Sequence, residues 1–125
     1  MFLRGTVFSG KGEGAKFIEL PWVKKQMKQK LGFIPYPGTL NVRLAEDDAG
    51  ELEATVMRAI EISPPTGFCR AICLRLCFMS YPKCFIVIPR VAGYPRQVLE
   101  LIAPVNLRER FGLRDGDVVV LEVPA

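Results

Sequence analysis

The chain contains no histidine. That absence removes Ser-His-Asp and Cys-His nucleophilic chemistry, His-ligated zinc and histidine general bases. Long apolar runs are missing as well. Arg, Lys or Pro interrupts each one well before the ~18 residues that a membrane-spanning helix needs. The opening Met1-Phe2-Leu3-Arg4-Gly5 offers no apolar signal-peptide region, so a cytoplasmic protein is expected. No Gly-Lys-Ser/Thr closes a phosphate loop and no Asp-Phe-Gly occurs, which excludes P-loop and protein-kinase chemistry. Cysteine is sparse: Cys69, Cys73, Cys77 and Cys84 match no zinc or iron–sulfur spacing. Three of them share parity in an alternating stretch and read as buried free thiols on one strand face.

What is present describes a globular chain. Its 125 residues are half apolar and about a quarter charged, which fits one domain over residues 1–125 with a core of its own. The formal charge of +4 suits an anionic small ligand as well as nucleic acid. Lys24, Lys25, Lys28 and Lys30 form one charged cluster, and Glu46, Asp47, Asp48, Glu51 and Glu53 another. Both read as solvated surface.

Phe2 to Ser9 alternates as a strand. Gly10-Lys11-Gly12-Glu13-Gly14-Ala15 follows as a glycine loop, then a short apolar segment, Phe17 to Leu20. Pro21 to Leu31 reads as a helix with Pro21 in its first turn and Gly32 as its stop. The prolines of Phe33 to Gly38 exclude helix and central strand. Thr39 to Leu44 is a strand with Leu40, Val42 and Leu44 on one face and Thr39, Asn41 and Arg43 on the other. A turn is expected at Asp48-Ala49-Gly50, and the stretch to Ile62 is open between helix and strand. Ser63 to Gly67 reads as a loop. Cys69–Phe78 and Cys84–Pro89 form a hairpin joined by Met79 to Lys83. Val98 to Ala103 is a strand, Val105 to Phe111 a short helix, Asp115-Gly116-Asp117 a turn, and Val118 to Val123 the last strand. Short strands at this spacing, with a few short helices, predict a mainly β closed barrel.

Three groups of residues can carry chemistry. In the glycine loop, successive small residues let backbone N–H groups converge on a phosphate. Its Gly10-x-Gly12-x-x-Ala15 spacing satisfies a dinucleotide fingerprint, but the expected helix start and second parallel strand are missing from the context. In the Pro37-Gly38-Thr39-Leu40-Asn41 run, Thr39 and Asn41 project from one strand face about 7 Å apart. A hydroxyl and an amide oxygen so placed suit Mg²⁺ carried by a phosphate substrate, which needs only one or two protein oxygens. Around Val105-Asn106-Leu107-Arg108, a helix start offers N–H groups to an anion, and Glu100 lies just before it. Each group, taken singly, is also an ordinary turn or connection.

The ordered set is more specific. Gly5-x-Val7-x-Ser9-Gly10-x-Gly12-Glu13-Gly14 comes first, then Leu31-Gly32-Phe33-x-Pro35-Tyr36-Pro37-Gly38-Thr39-Leu40-Asn41-Val42. Glu100-x-x-Ala103-Pro104-Val105-x-Leu107-Arg108 and Asp115-Gly116-Asp117 complete it. This order, from about residue 5 to residue 123, resembles the archaeal CTP-dependent riboflavin kinases. The resemblance implies a six-stranded cradle-loop barrel and transfer of the CTP γ-phosphoryl group to the ribityl 5′-hydroxyl of riboflavin, giving FMN and CDP. By similarity, Gly10, Lys11, Gly12, Glu13, Gly14 and Ala15 hold the nucleotide phosphates, as Val105, Asn106, Leu107 and Arg108 hold the nucleotide. Thr39 and Asn41 hold Mg²⁺, and Glu100 contacts the flavin. The family expects a second flavin contact, a threonine, where this chain has Ala92; Tyr94 is a nearby hydroxyl that can compensate. Glu13 and Glu100 are both candidates for the base, and the sequence does not choose between them. Some family members carry an N-terminal helix-turn-helix domain, for which these residues leave no room. A monomer without membrane or nucleic-acid partners is expected. The alternatives are a swapped-hairpin-like nucleic-acid-binding barrel, suggested by Leu113-x-Asp115-Gly116-Asp117-x-Val119, and a flavin carrier without catalysis.

Overall fold

The computed structural model describes residues 1–10, 12–55, 59–63 and 70–124. Strand β1, Phe2–Phe8, buries Leu3, Gly5 and Val7 and turns Arg4 and Thr6 outward, as its alternation dictates. It pairs with β2, Leu40–Leu44, on one side and with β7, Val118–Glu122, on the other. Between them in sequence come β3 (Ile60–Ile62), β4 (Ala71–Phe78), β5 (Tyr81–Pro89) and β6 (Val98–Ile102). The sheet runs β3-β4-β5-β6-β2-β1-β7, and a further β4–β7 pairing closes it. The result is a six-stranded antiparallel barrel, with β3 lying outside the ring on the edge of β4.

The closure is short. One edge of β4 is divided between two partners: Ala71, Ile72 and Cys73 pair with β3, and Cys77 and Phe78 pair with Glu122 and Leu121 of β7. Beside the seam, Met1 extends the β1–β7 ladder, its amino group donating to the Val123 carbonyl across 122 positions of sequence.

Two apolar clusters explain why the middle strands do not alternate cleanly. Leu74, Leu76, Phe78, Cys84, Ile86, Leu99 and Leu101 fill the barrel together with Leu3, Val7, Val42 and Leu121. Ala71, Cys73, Phe85, Val87 and Ile102 point outward, and meet Ile18, Val23, Met27 and Leu31 of the covering helices. Strands buried on both faces lose the apolar/polar alternation that a half-exposed strand shows. Cys73 and Cys84 therefore lie in different clusters, both buried, and Cys77 is partly buried; Cys69 is outside the described residues.

The helices are α1 (Glu13–Glu19), α2 (Pro21–Leu31), α3 (Glu46–Glu53) and α4 (Leu107–Arg110). Helix α2 starts at Pro21 and ends on Gly32 at φ 89°, as its sequence predicts. Two expectations change. Gly14 and Ala15 belong to a helix rather than a loop, and that helix includes the apolar Phe17-Ile18 segment. The turn expected at Asp48-Ala49-Gly50 is instead the middle of α3, where Ala49 and Leu52 are buried and Arg96 bridges Glu46 and Glu53 from outside. The open stretch resolves into the end of α3 and strand β3, with residues 56–58 outside the described set, as are residues 64–67 of the expected loop.

Smaller differences concern boundaries. The β4–β5 connection is two residues, Met79 and Ser80, both at positive φ (47° and 71°), so β5 begins at Tyr81. Helix α4 is shorter than the Val105–Phe111 expectation. Among the described residues, no helix is long and apolar enough to cross a membrane.

Candidate active site

Strand β2 carries the centre of the site. Its buried residues Leu40, Val42 and Leu44 anchor it in the barrel, so Asn41 and the preceding Thr39 face away from that core. In the register with β6, Asn41 stands opposite Glu100; in the register with β1, it stands opposite Phe8. The Thr39 hydroxyl donates to Glu100 Oε1 at 3.1 Å. Thr39 and Asn41, two apart on one strand face, thus form one polar group with Glu100, 61 positions beyond Thr39.

The glycine segment lies directly on that group. A β-carbon at Gly10 would stand 2.6 Å from the Asn41 amide nitrogen. One at Gly14 would overlap Glu100 Oε1 and stand 2.9 Å from the Thr39 side chain. Glycine at these two positions is what lets the backbone pass so close. Gly12 has φ 80° and leads into α1, whose first residue is Glu13. Lys11 is outside the described residues, as is the side chain of Glu13. The helix that a dinucleotide fold would start within such a loop is in fact present, but every strand pairing among the described residues is antiparallel, which still excludes that fold.

The start of the loop is moored from the other side. Val7 N–H donates to the Asp117 carbonyl, and Gly116 N–H to the Val7 carbonyl. The Ser9 hydroxyl lies 2.7 and 2.9 Å from the two Asp115 carboxylate oxygens. Arg108 donates to Asp115 at 3.0 Å and reaches the Phe8 carbonyl at 3.5 Å. The Ser9 donor and then Arg108 hold the Asp115 carboxyl below the usual carboxylate range. The Asp-Gly-Asp turn therefore serves the site by fixing the glycine segment. The sequence marked it as a turn but gave no sign of what it would hold.

Two pockets meet at Thr39. The larger, 550 Å³, is walled by Phe17 and Ile18 of α1, Val87 and Pro89 of β5, Val91 and Ala71, with Gly14, Thr39, Tyr94 and Glu100 supplying its polar end. The smaller, 130 Å³, is formed by Tyr36, Gly38 and Thr39 on one side and Val105 to Arg108 on the other. Tyr36 N–H donates to the Ala103 carbonyl at 2.8 Å, which ties the proline-rich segment to the end of β6. Asn106 caps α4, its side-chain oxygen accepting from Glu109 N–H, so its amide N–H₂ is the group left for a ligand.

Ala92 lies elsewhere. It lines a 370 Å³ cavity between α3 and the segment 88–99, not the larger pocket. Tyr94 lines both and donates to Glu100 Oε2 at 3.0 Å. The sequence raised Tyr94 only as a compensating hydroxyl. It gave no signal for the pocket walls Phe17, Ile18 and Val87, because apolar residues on a short helix and a doubly buried strand look like core.

The donor set also tests the expected metal. Among the described residues, no group of three His, Cys, Asp or Glu side chains could hold a metal ion. Two neutral oxygens beside a single carboxylate do not make a self-sufficient metal site. They fit a hard cation whose other ligands come from a polyphosphate and water.

A closed antiparallel barrel with a glycine segment laid over a polar strand face, and two pockets joined there, defines a cradle-loop barrel with a candidate ligand site. The family model for the CTP-dependent riboflavin kinase domain, described as "Domain of unknown function DUF120", matches residues 7–123. The chain is 38% identical over 128 residues to a riboflavin kinase of Archaeoglobus fulgidus, covering 97% of this chain and 54% of that protein. It is 43% identical over 119 residues to that of Methanocella arvoryzae (94% and 54%) and 40% identical over 129 residues to that of Methanospirillum hungatei (98% and 58%). The chain belongs to the CTP-dependent riboflavin kinase family. It spans a little over half the length of these curated relatives.

Proposed function

We propose that the protein transfers the γ-phosphoryl group of CTP to the 5′-hydroxyl of riboflavin, yielding FMN and CDP. The observation that carries this reading is the contact of Gly10 and Gly14 with Asn41, Thr39 and Glu100 at the junction of the two pockets. An apolar chamber with a polar end suits a flat ring system bearing a polyol, and the smaller chamber beside Val105 to Arg108 suits the pyrimidine ring of the nucleotide. The phosphates then lie between them, under the glycine segment.

Phosphoryl transfer asks for alignment and for neutralisation of phosphate charge rather than for protein-bound intermediates. The bond from the 5′-oxygen to the γ-phosphorus forms as the bond from that phosphorus to the β-bridging oxygen breaks, and the hydroxyl proton is released. Backbone N–H groups at Gly12 to Ala15 and the Arg108 guanidinium supply positive potential. Thr39 and Asn41 would hold Mg²⁺, which supplies charge neutralisation to the phosphates when bound. Thr39 keeps its hydroxyl proton on Glu100, which leaves its oxygen lone pairs for a cation. Glu100 is the carboxylate placed at the flavin end of the junction, and Glu13 at the start of α1 is the other candidate base.

Incubation with riboflavin, Mg²⁺ and either CTP or ATP, followed by separation of FMN, tests the reading. FMN formation that prefers CTP supports it, and no turnover with any nucleotide rejects it. A Thr39→Ala, Asn41→Ala chain should lose the metal-dependent part of the rate; an unchanged rate would remove these residues from the metal site.

A further inference from the structure

Glu100 is held from both sides. Thr39 donates to one carboxylate oxygen at 3.1 Å, and Tyr94 donates to the other at 3.0 Å. An ionised carboxylate has about four lone-pair positions. Two donors from the protein fix its plane and leave the remaining positions to a ligand. Neighbouring Ala92 has no side-chain donor and lines the 370 Å³ cavity, so the segment 90–97 reaches Glu100 through Tyr94.

We propose that Tyr94 is the positioning residue of Glu100, fixing the carboxylate for the N–H and O–H groups of a flavin in the 550 Å³ pocket. This rests on the functional reading above and deepens it. The same ring, with Pro89 and Val91, lines both that pocket and the 370 Å³ cavity, so it forms part of the wall they share. Burial first, then the Glu100 charge and hydrogen bond, raise the Tyr94 hydroxyl above its ordinary pKa. It therefore remains a donor across the range in which the protein works.

Riboflavin binding without nucleotide, followed by quenching of flavin fluorescence, separates the possibilities. Tyr94→Phe keeps the wall and removes the donor, and should weaken riboflavin binding about tenfold, the change carried by one hydrogen bond to a charged group. In a Glu100→Ala background, the same substitution should change affinity by less than about twofold, because a positioning residue has nothing left to position. Equal affinity of Tyr94→Phe and wild type overturns the proposal. So does an equal loss in both backgrounds, which would make Tyr94 a wall only. Wild-type protein that binds no riboflavin overturns the functional reading, and this proposal with it.

Discussion

A methyl group placed on Gly14 would run into the Glu100 carboxylate and the Thr39 side chain. Gly14 sits inside α1 with ordinary helical backbone geometry, where alanine is favoured over glycine by about 1 kcal/mol. No backbone atom stands in the way: the Glu100 carboxylate is the far end of a flexible side chain and can swing aside, while the short Thr39 side chain at 2.9 Å must give slightly where it stands. Doing so breaks the hydrogen bonds that Thr39 and Tyr94 donate to Glu100. A bond to a charged group is worth roughly 1.5–3 kcal/mol, and the lower end applies here because the freed groups face an open pocket. The two lost bonds outweigh the helix gain, and Gly14→Ala should fold with about 2 kcal/mol less stability than wild type, a fall of roughly 5–10 °C in melting temperature. The site should not tolerate it. With the carboxylate displaced and the methyl group in the pocket, riboflavin affinity should fall by roughly tenfold or more. Thermal melts and flavin-fluorescence titrations on the same preparation test both halves. Unchanged affinity would refute the role of the Glu100 position. A melting temperature lower by more than about 10 °C would show that the contact is not relieved at the side chain.

Gly5→Ala should leave the site intact. Its β-carbon would meet the buried Val42 side chain and stand 3.0 Å from the Arg43 carbonyl, so a loss of about 1–3 kcal/mol is expected in urea denaturation, with the junction of the pockets left in place. The buried thiols predict a pH dependence. Burial pushes Cys73 and Cys84 up to about 12 from an unfolded value near 9, so the unfolded chain releases these protons first. Their contribution to stability is full below pH 9 and falls by about 1.4 kcal/mol per thiol per pH unit above it. Urea midpoints at pH 8 and pH 10 should therefore separate more for wild type than for a Cys73→Val, Cys84→Ala chain; equal separations would contradict the assignment. In native protein at pH 8, iodoacetamide should leave Cys73 and Cys84 unlabelled, and mass spectrometry of the digested chain reads this directly.

The sequence revealed the barrel through its period-two strands, because β1 and β2 each bury one face, and Leu3, Val7, Leu40, Val42 and Leu44 mark it. It revealed α2 through Pro21, Gly32 and the buried stripe Val23, Met27 and Leu31. It missed α1 and misread α3 for one reason. A helix of seven or eight residues is too short to display its period, and glycine or aspartate within it argues locally for a turn. Burial of Ile18 in one, and of Ala49 and Leu52 in the other, decides the matter, and burial depends on strands far away in sequence. The site follows the same division. Thr39 and Asn41 were legible from strand parity alone. Their meeting with Gly10, Gly14, Glu100 and Tyr94 needed the β1–β2–β6 register, which no local pattern encodes.

The two-rung seam between β4 and β7 bears on how the molecule is made. β7 must find β1, at the opposite end of the described chain, as well as β4 before the ring can close. Until then, β1 and β4 each present an unpaired edge, the kind of surface on which chains join one another. Contacts this distant in sequence form slowly, on the millisecond-to-second scale typical of barrels. The residues proposed to bind ligand lie on or beside β2, α1, β6 and α4, so they are translated before the strand that locks them into a cylinder. Ring closure is thus the step that covers the edges of β1 and β7 and part of that of β4, leaving β3 as the strand on the outer edge.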